Sequence, residues 1–237
     1  MDEIYFTEDC STFWEGIKDC IPTLLGYLSI GFAAGVVEKT AGLSIAEITL
    51  MSLLLYAGSA QFISAGMIMA AAPVTTIIFT VFFVNLRHLL LSAAISPYFK
   101  TLPHFKNIIV GSELTDETFG VSIKHGNKYN SISYKWMLGL NITAHLNWIL
   151  ATIIGGLLGS WIPNPTAFGL DFALPAMFIG LLILQIAESS EIIKEIIIII
   201  SSVATVLIAN YFSPGNISVI IATILAATVG MVVKRCK

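Results

Sequence analysis

Charge is what this sequence has least of. Only 11% of its 237 residues are Asp, Glu, Lys or Arg, against about 25% in a typical soluble domain. Hydrophobic residues make up 56% of the chain, and the mean hydropathy is +0.86. So few charges leave too little polar surface to keep a globule in water. The composition predicts an all-α, polytopic membrane protein embedded in a lipid bilayer.

Other absences narrow the function. No basic stripe indicates a nucleic-acid partner, and three cysteines are too few for a disulfide framework. The sequence has no H-E-x-x-H, no G-x-S-x-G and no pair of histidines at ligand spacing. An intramembrane enzyme is therefore disfavoured, and neither a cofactor nor a metal site is predicted. No basic segment followed by an A-x-A site precedes the first apolar run, so we expect no cleavable signal peptide.

Long charge-poor stretches predict seven transmembrane helices of about 20 residues each. They cover residues 20–37, 46–71, 74–98, 136–160, 173–188, 193–211 and 215–233. We interpret the polar stretch 99–135 as a loop with a short surface helix. We expect a multi-pass protein of the cell membrane.

The distribution of basic residues predicts the orientation. With an external N-terminus and a cytoplasmic C-terminus, Lys18 is outside and Arg87 lies in the membrane. The remaining basic residues are then cytoplasmic: Lys39, Lys100, Lys106, Lys124, Lys128, Lys135, Lys194, Lys234, Arg235 and Lys237.

Two G-x-x-x-G segments, 31–35 and 155–159, are each followed by G-L-[S/D]-x-A, at 42–46 and 169–173. The offset equals three spans, which would invert the second copy. We therefore expect a single transmembrane domain, 1–237, with inverted repeats at 20–113 and 114–211 and an extra helix at 215–233. Inverted repeats are typical of secondary transporters. Alternatively, the two segments are unrelated helix-packing motifs.

An arginine stands near the middle of the third predicted span, in "VFFVNLRHLLLSAA" (81–94). An ionisable side chain at the bilayer centre costs about 2.5–3.5 kcal/mol on insertion scales. Arg87 therefore needs a carboxylate, backbone carbonyls or a bound anion. Helical pitch places Asn85 and His88 on one polar stripe and puts Phe, Val and Leu on the opposite, lipid-facing side. Alternatively, Arg87 only fastens the span to a neighbouring loop.

Three further segments carry polar groups. In "YAGSAQFISAG" (56–66), Gly58, Ser59 and Gln61 either support ordinary helix packing or mark a break that exposes N–H groups to a substrate carboxylate. Asp116 and Glu117 either cap a helix, pair with Arg87 or His88, or carry protons. His145, alone in the fourth predicted span, is either a packing residue or a proton carrier.

Four segments in order resemble the AzlC family: "GSAQF" (58–62), "VNLRHLLLSAAISPY" (84–98), "LTDETF" (114–119) and "GLDFALPAMF" (169–178). His145 departs from the family pattern, which is more apolar there. The resemblance implies the large subunit of an exporter of leucine, isoleucine and valine, with methionine as a further substrate. It also implies coupling to the proton gradient and a small membrane partner of the AzlD type.

A zwitterion with an apolar tail defines the expected site. Arg87 would bind the carboxylate bidentately. The expected supporting residues are Gly58, Ser59, Gln61 and Asn85 for polar contacts, and Phe62, Phe82, Phe83, Leu174 and Phe178 as pocket walls. The expected proton carriers are His88, Asp116 and Glu117. Two alternatives stay open: a passive channel or facilitator, and a non-transporting subunit of a larger complex.

Overall fold

The structure is a computed structural model that describes residues 11–162, 167, 169, 172–188, 192–212, 225, 228–230 and 232. Its helices are α1 Phe13–Thr40, α2 Ile45–Leu54, α3 Gly58–Met69, α4 Val74–Ile95, α5 His104–Ser112, α6 Asp116–Tyr129, α7 Tyr134–Gly159, α8 Ala173–Glu188 and α9 Ile192–Phe212. A short 3₁₀ helix, Ser96–Phe99, extends α4. No strand occurs among the described residues, and the all-α prediction is confirmed for them.

Within the described residues, four helical segments are long and apolar enough to cross a membrane: Phe13–Thr40, Val74–Phe99, Tyr134–Gly159 and Ile192–Ala209. Their length and composition agree with the prediction of a membrane protein. The count of seven spans stays a prediction, because the last one, 215–233, falls largely outside the described residues.

The chain divides into two compact units, residues 1–175 and 176–237. The first unit contains α1 to α7 and every residue of the expected site apart from Phe178, whose side chain lies outside the described part, as does that of Leu174. The second unit contains α9 and most of α8. The single transmembrane domain stays a prediction.

Helices α1 and α7 form the core of the first unit through small residues. A Cβ atom on Gly35 would clash with the backbone of Thr152, and one on Gly155 would clash with the backbone of Phe32. Such close backbone approach is how membrane helices associate without a hydrophobic driving force. Glycine is therefore required at both positions by the neighbouring helix.

The same contacts show that α1 and α7 run parallel. Gly16 packs against Trp136, Gly31 against Ala151, and Gly159 against Val36, so residue numbers rise together along both helices. Corresponding spans of an inverted repeat run antiparallel, and the predicted inverted repeat is not confirmed. The two G-x-x-x-G segments instead contact each other directly, as the packing alternative expects.

Parallel packing also changes the predicted path between these helices. The chain leaves α1 at one end of the pair and enters α7 at the other, so the intervening residues must cross the membrane an odd number of times. We infer that α2 with α3, α4, and α5 with α6 make these three crossings. Interpreting 99–135 as a loop with one short helix was wrong, because the stretch contains the two helices α5 and α6. Its charges lower the hydropathy of the stretch, but Asp116 and Glu117 are compensated inside the protein, and α5 exposes Phe105 and Ile108 outward.

With this path, basic residues no longer favour one side of the first unit. Lys39, Lys100 and Lys106 lie toward one end, whereas Lys18, Lys124, Lys128 and Lys135 lie toward the other. The predicted orientation of the termini is therefore without support in this part of the chain.

Candidate functional site

The first helix break separates α2 from α3 at residues 55–57. Tyr56 has a left-handed φ of 37°, which a non-glycine residue rarely adopts and which ends α2. Ala57 is the N-cap of α3 and provides no side-chain hydrogen bond. The first N–H groups of α3, from Gly58 onward, are therefore not capped by an N-cap side chain. The break expected near Gly58 is present, and α3 starts at that glycine.

Gly58 is required by a neighbouring aromatic ring. A Cβ atom at this position would lie 2.9 Å from Cη2 of Trp148 in α7. The indole Nε1 of Trp148 donates a hydrogen bond to Oε1 of Gln61 at 2.7 Å. Nε2 of Gln61 donates to Oγ of Ser52 in α2 at 3.0 Å. These contacts join the two helices of the break to α7.

The second break separates α5 from α6 at residues 113–115. Here the N-terminus of α6 is fully capped. The Thr115 side chain accepts from the Thr118 N–H, while the Thr118 hydroxyl accepts from the Thr115 N–H at 2.9 Å. Asp116 and Glu117 add negative charge to the first turn, which complements the positive end of the helix dipole.

Arg87 connects the two breaks from α4. Its Nη2 donates to Oγ of Ser59 at 2.8 Å, and its Nη1 lies 2.6 Å from Oδ2 of Asp116. The side chains of Arg87 and Asp116 are 25% and 22% exposed, whereas Ser59 is fully buried. The arginine thus reaches the uncapped start of α3 and the acidic start of α6 at once.

Tyr27 fastens the second break to α1. Its hydroxyl donates to Oε2 of Glu117 at 2.9 Å and also hydrogen-bonds the Thr115 hydroxyl. Its ring packs edge-on against Trp148, with centroids 5.4 Å apart. The carboxylate of Glu117 is therefore held by Tyr27 and not by Arg87.

A second side chain, His145 of α7, also connects the two breaks. Its Nδ1 lies 2.7 Å from Oε2 of Glu113, at the start of the second break. Its Nε2 lies 3.1 Å from the carbonyl oxygen of Ser52, near the end of α2. The ring stacks on Tyr56, with centroids 3.9 Å apart. Glu113 was absent from the expected site.

The amino-acid sequence of this part of the chain is similar to that of known proteins. A family model described as AzlC protein matches residues 22–162, which contain both breaks, Arg87 and His145. The chain belongs to the AzlC family. The family resemblance in the motifs is confirmed.

Two of the relatives are named as membrane proteins and one as a transport protein. The Inner membrane protein YgaZ of Escherichia coli is 30% identical over 182 residues, covering 73% of each chain. An uncharacterized membrane protein of Archaeoglobus fulgidus is 32% identical over 174 residues, covering 72% of this chain and 74% of its own. The Branched-chain amino acid transport protein AzlC of Bacillus subtilis is 27% identical over 179 residues, covering 74% and 70%. No solved structure matches.

Within this AzlC chain, Ser59, Arg87 and Asp116 meet directly, and Gly58 immediately precedes Ser59 at the start of α3. His88 follows Arg87 in α4, and its side chain hydrogen-bonds no described residue. Asn85 is half-buried, and its Oδ1 has no hydrogen-bond partner among the described residues. The structure therefore keeps an unused acceptor on the inward side of α4.

Other expected residues of the AzlC site have different surroundings. Gln61 is fully buried and both ends of its amide are occupied, so the structure favours a bracing role over direct contact with a substrate. Phe62 is 7% exposed and belongs to the hydrophobic core. Phe82 and Phe83 are 58% and 54% exposed on the outer face of α4. Neither ring is enclosed by the described residues, and the assignment of these two as pocket walls stays a prediction.

Proposed function

We propose that this AzlC protein is the large subunit of a proton-coupled secondary transporter that exports the branched-chain amino acids leucine, isoleucine and valine, with methionine as a further substrate. The observation that carries the proposal is the position of Arg87. One membrane arginine contacts both the uncapped start of α3 and a carboxylate at the start of α6. The printed name of the Bacillus subtilis relative supports the substrate class.

The uncapped start of α3 and Arg87 together suit a carboxylate. Free N–H groups and the positive end of the helix dipole favour anions. A guanidinium adds two parallel donors in the plane that a carboxylate prefers. Because Ala57 offers no competing side-chain acceptor, a substrate carboxylate can accept from the first N–H groups of α3 and from Arg87 together.

Asp116 acts as the resting counter-ion in this proposal. Without substrate, its carboxylate pairs with Arg87 at 2.6 Å, which keeps the arginine from being an uncompensated charge in the membrane. An arriving substrate carboxylate displaces Asp116. Substrate binding then breaks the contact between α4 and α6, so it changes the structure at the second break.

The ammonium and the side chain of the substrate need different surroundings. The unused Oδ1 of Asn85 is an acceptor suited to an ammonium group. Around the axis of α4, His88 lies between the directions of Asn85 and Arg87. One methylene changes binding in an apolar pocket by only about 1–3 kcal/mol. Broad selectivity across the branched-chain amino acids and methionine is therefore expected.

A small membrane subunit of the AzlD type completes the proposed transporter. The outward face of α4 is apolar, and Phe79, Phe82 and Leu90 are 64%, 58% and 73% exposed. Such a face is compatible with lipid or with a partner helix. The proposed partner is inherited from the family and is tested together with the transport function.

The test is counterflow of labelled leucine in proteoliposomes, with this chain alone and together with its small subunit. Wild type should exchange leucine, and Arg87→Ala should abolish exchange because the carboxylate loses its cation. Lys100→Ala is the matched control, since Lys100 is an exposed cation just after the 3₁₀ helix, and it should behave like wild type.

Three outcomes separate the alternatives. No exchange by wild type, even with the partner, would contradict the substrate assignment. Normal exchange by Arg87→Ala would contradict the role of Arg87. If wild type exchanges leucine but a pH gradient never drives leucine uphill, a passive facilitator is favoured over a coupled transporter.

A further inference from the structure

The His145 ring is the second connection between the two breaks, and its partners define where protons lie. Nε2 is 3.1 Å from the Ser52 carbonyl oxygen, which can only accept a hydrogen bond. Nε2 must therefore carry a hydrogen. Nδ1 is 2.7 Å from Oε2 of Glu113, at the distance of a charge-assisted hydrogen bond.

The contact between Nδ1 and Glu113 also needs a proton. If the ring is neutral with its hydrogen on Nε2, then Nδ1 has only a lone pair and the Glu113 carboxyl must donate. If Glu113 is ionised, Nδ1 must donate and the ring is an imidazolium. Both descriptions place one proton between the two side chains. The geometry thus requires the protonated form of the pair.

Losing this proton must break one of the two contacts. A neutral ring that keeps its hydrogen on Nε2 would direct a lone pair at the ionised Glu113. A ring that moves its hydrogen to Nδ1 would direct a lone pair at the Ser52 carbonyl instead. Either α2 or the second break is then released from α7.

We propose that His145 and Glu113 form the proton-binding site that couples this transporter to the proton gradient. The inference rests on the proposed function and goes beyond it, because it assigns coupling to a pair outside the expected carriers His88, Asp116 and Glu117. In the bound state the pair holds the ends of both breaks against α7. In the released state the proton passes to water from Glu113, whose side chain is 27% exposed.

The expected carriers have other partners or none. Asp116 is paired with Arg87, and Glu117 accepts from Tyr27. His88 has no hydrogen bond to a described residue through which a change of charge would move a helix. Among these candidates, all in the described part of the chain, the His145 pair alone combines two titratable groups with contacts to both breaks.

The titratable groups around the ring come from each element packed on it. Glu113 and Tyr56 contact the ring directly, and Glu117 of α6 with Tyr27 and Cys20 of α1 surround Tyr56 in turn. None of these five side chains can be positively charged, so none repels a positive charge on His145. The nearest cation named in the site, Arg87, is already paired with Asp116.

Two transport assays on the complex of the chain with its small subunit test the proposal. Counterflow at equal pH on both sides needs no net proton movement, whereas uphill accumulation under a pH gradient does. His145→Gln keeps a donor and an acceptor but cannot titrate. It should retain counterflow and lose gradient-driven accumulation, and Glu113→Gln should do the same. His104→Gln, which changes an exposed histidine at the start of α5, should resemble wild type.

The outcomes distinguish the two proposals. Gradient-driven accumulation by both His145→Gln and Glu113→Gln would overturn the proton site and leave the transporter intact. Absence of leucine counterflow in wild type would overturn the transporter itself. If the folded variants lose both counterflow and accumulation, the pair has only a structural role. This outcome would also overturn the inference.

Spectra of ¹⁵N-histidine provide a readout that does not depend on transport. Neither ring nitrogen of His145 should be bare at low pH, and one of the two, Nδ1 or Nε2, should become a bare nitrogen as the pH rises. Glu113→Gln should displace this transition. A bare Nδ1 across the whole pH range would contradict the proposal. If His145→Gln does not fold, glutamine at the other three histidines identifies the His145 signal by elimination.

Discussion

The two helix breaks differ in how their second helices begin. At the first, α3 starts after Ala57 with no side-chain cap. At the second, α6 starts after Thr115 with a complete capping box and two carboxylates in its first turn. Both breaks contact the same arginine. The first thus leaves its positive helix end unused, whereas the second neutralises its own.

This difference assigns separate tasks to the two breaks. An uncapped helix start in a low-dielectric setting is an unsatisfied anion site, so the first break is suited to receive a substrate carboxylate. The second break is already satisfied and supplies the competing carboxylate, Asp116. In the proposed transporter, Arg87 is shared between a site for an incoming anion and its resident partner Asp116.

The largest expected effect is at Gly58. Gly58→Ala should destabilise the protein by about 1–3 kcal/mol, since the added methyl group overpacks against Trp148 at 2.9 Å. Thermal unfolding of the purified complex measures the change. Gly66→Ala, in the same helix with open space around its Cβ position, is the control and should be neutral or stabilising. Equal effects of both substitutions would show that the Trp148 contact does not restrict the first break.

Removing the cap of the second break should have the next largest effect. Thr115→Val keeps the shape but loses the capping oxygen and the contact with Tyr27, at a cost of about 1–2 kcal/mol. Thr143→Val is the control, because the Thr143 hydroxyl only bonds the carbonyl of Gly139 in its own helix. Unfolding midpoints of the two variants should differ. Identical midpoints would mean that the second break does not depend on its cap.

Adding a cap to the first break should have the smallest effect, and one of opposite sign. Ala57→Ser supplies an acceptor to α3 and should stabilise the fold by up to about 1 kcal/mol. It should also weaken leucine binding, because the serine competes with the substrate carboxylate for the same N–H groups. Ala93→Ser, on an exposed part of α4, is the control. Stabilisation with unchanged leucine affinity would separate the start of α3 from the substrate site.

Much of the helical fold was predictable from hydropathy. Helices α4, α7, α8 and α9 begin and end within a few residues of the predicted spans, because long apolar runs have few alternatives in a membrane. The membrane-embedded break before Gly58 was one of two interpretations of "YAGSAQF", and Tyr56 resolves it through its left-handed backbone.

The misinterpreted part is the polar stretch that contains α5 and α6. Asp116 and Glu117 resemble loop residues in sequence, and only their partners Arg87 and Tyr27 show how the protein accommodates them. The pairing of His145 with Glu113 was missed for a related reason. The two residues are 32 positions apart, and no local pattern indicates which carboxylate a lone membrane histidine will contact.

The parallel packing of α1 and α7 was also beyond local inference. The segments 31–35 and 155–159 resemble each other because each needs small residues, and such similarity carries no information about direction. Contacts such as Gly31 with Ala151 and Gly159 with Val36 show that the segments contact each other. Helix packing, which depends on the tertiary arrangement, therefore explains the repeated glycines.

The most direct test of the shared arginine is the equilibrium affinity of the purified complex for leucine, compared between wild type and Asp116→Asn. The asparagine cannot form an ion pair with Arg87, so it competes less with the substrate carboxylate. We predict tighter leucine binding, by up to about 1 kcal/mol or about fivefold, while Arg87→Ala binds leucine weakly. If Asp116→Asn weakens binding as much as Arg87→Ala does, then Asp116 is not a competitor for the arginine, and the assignment of separate tasks to the two breaks is wrong.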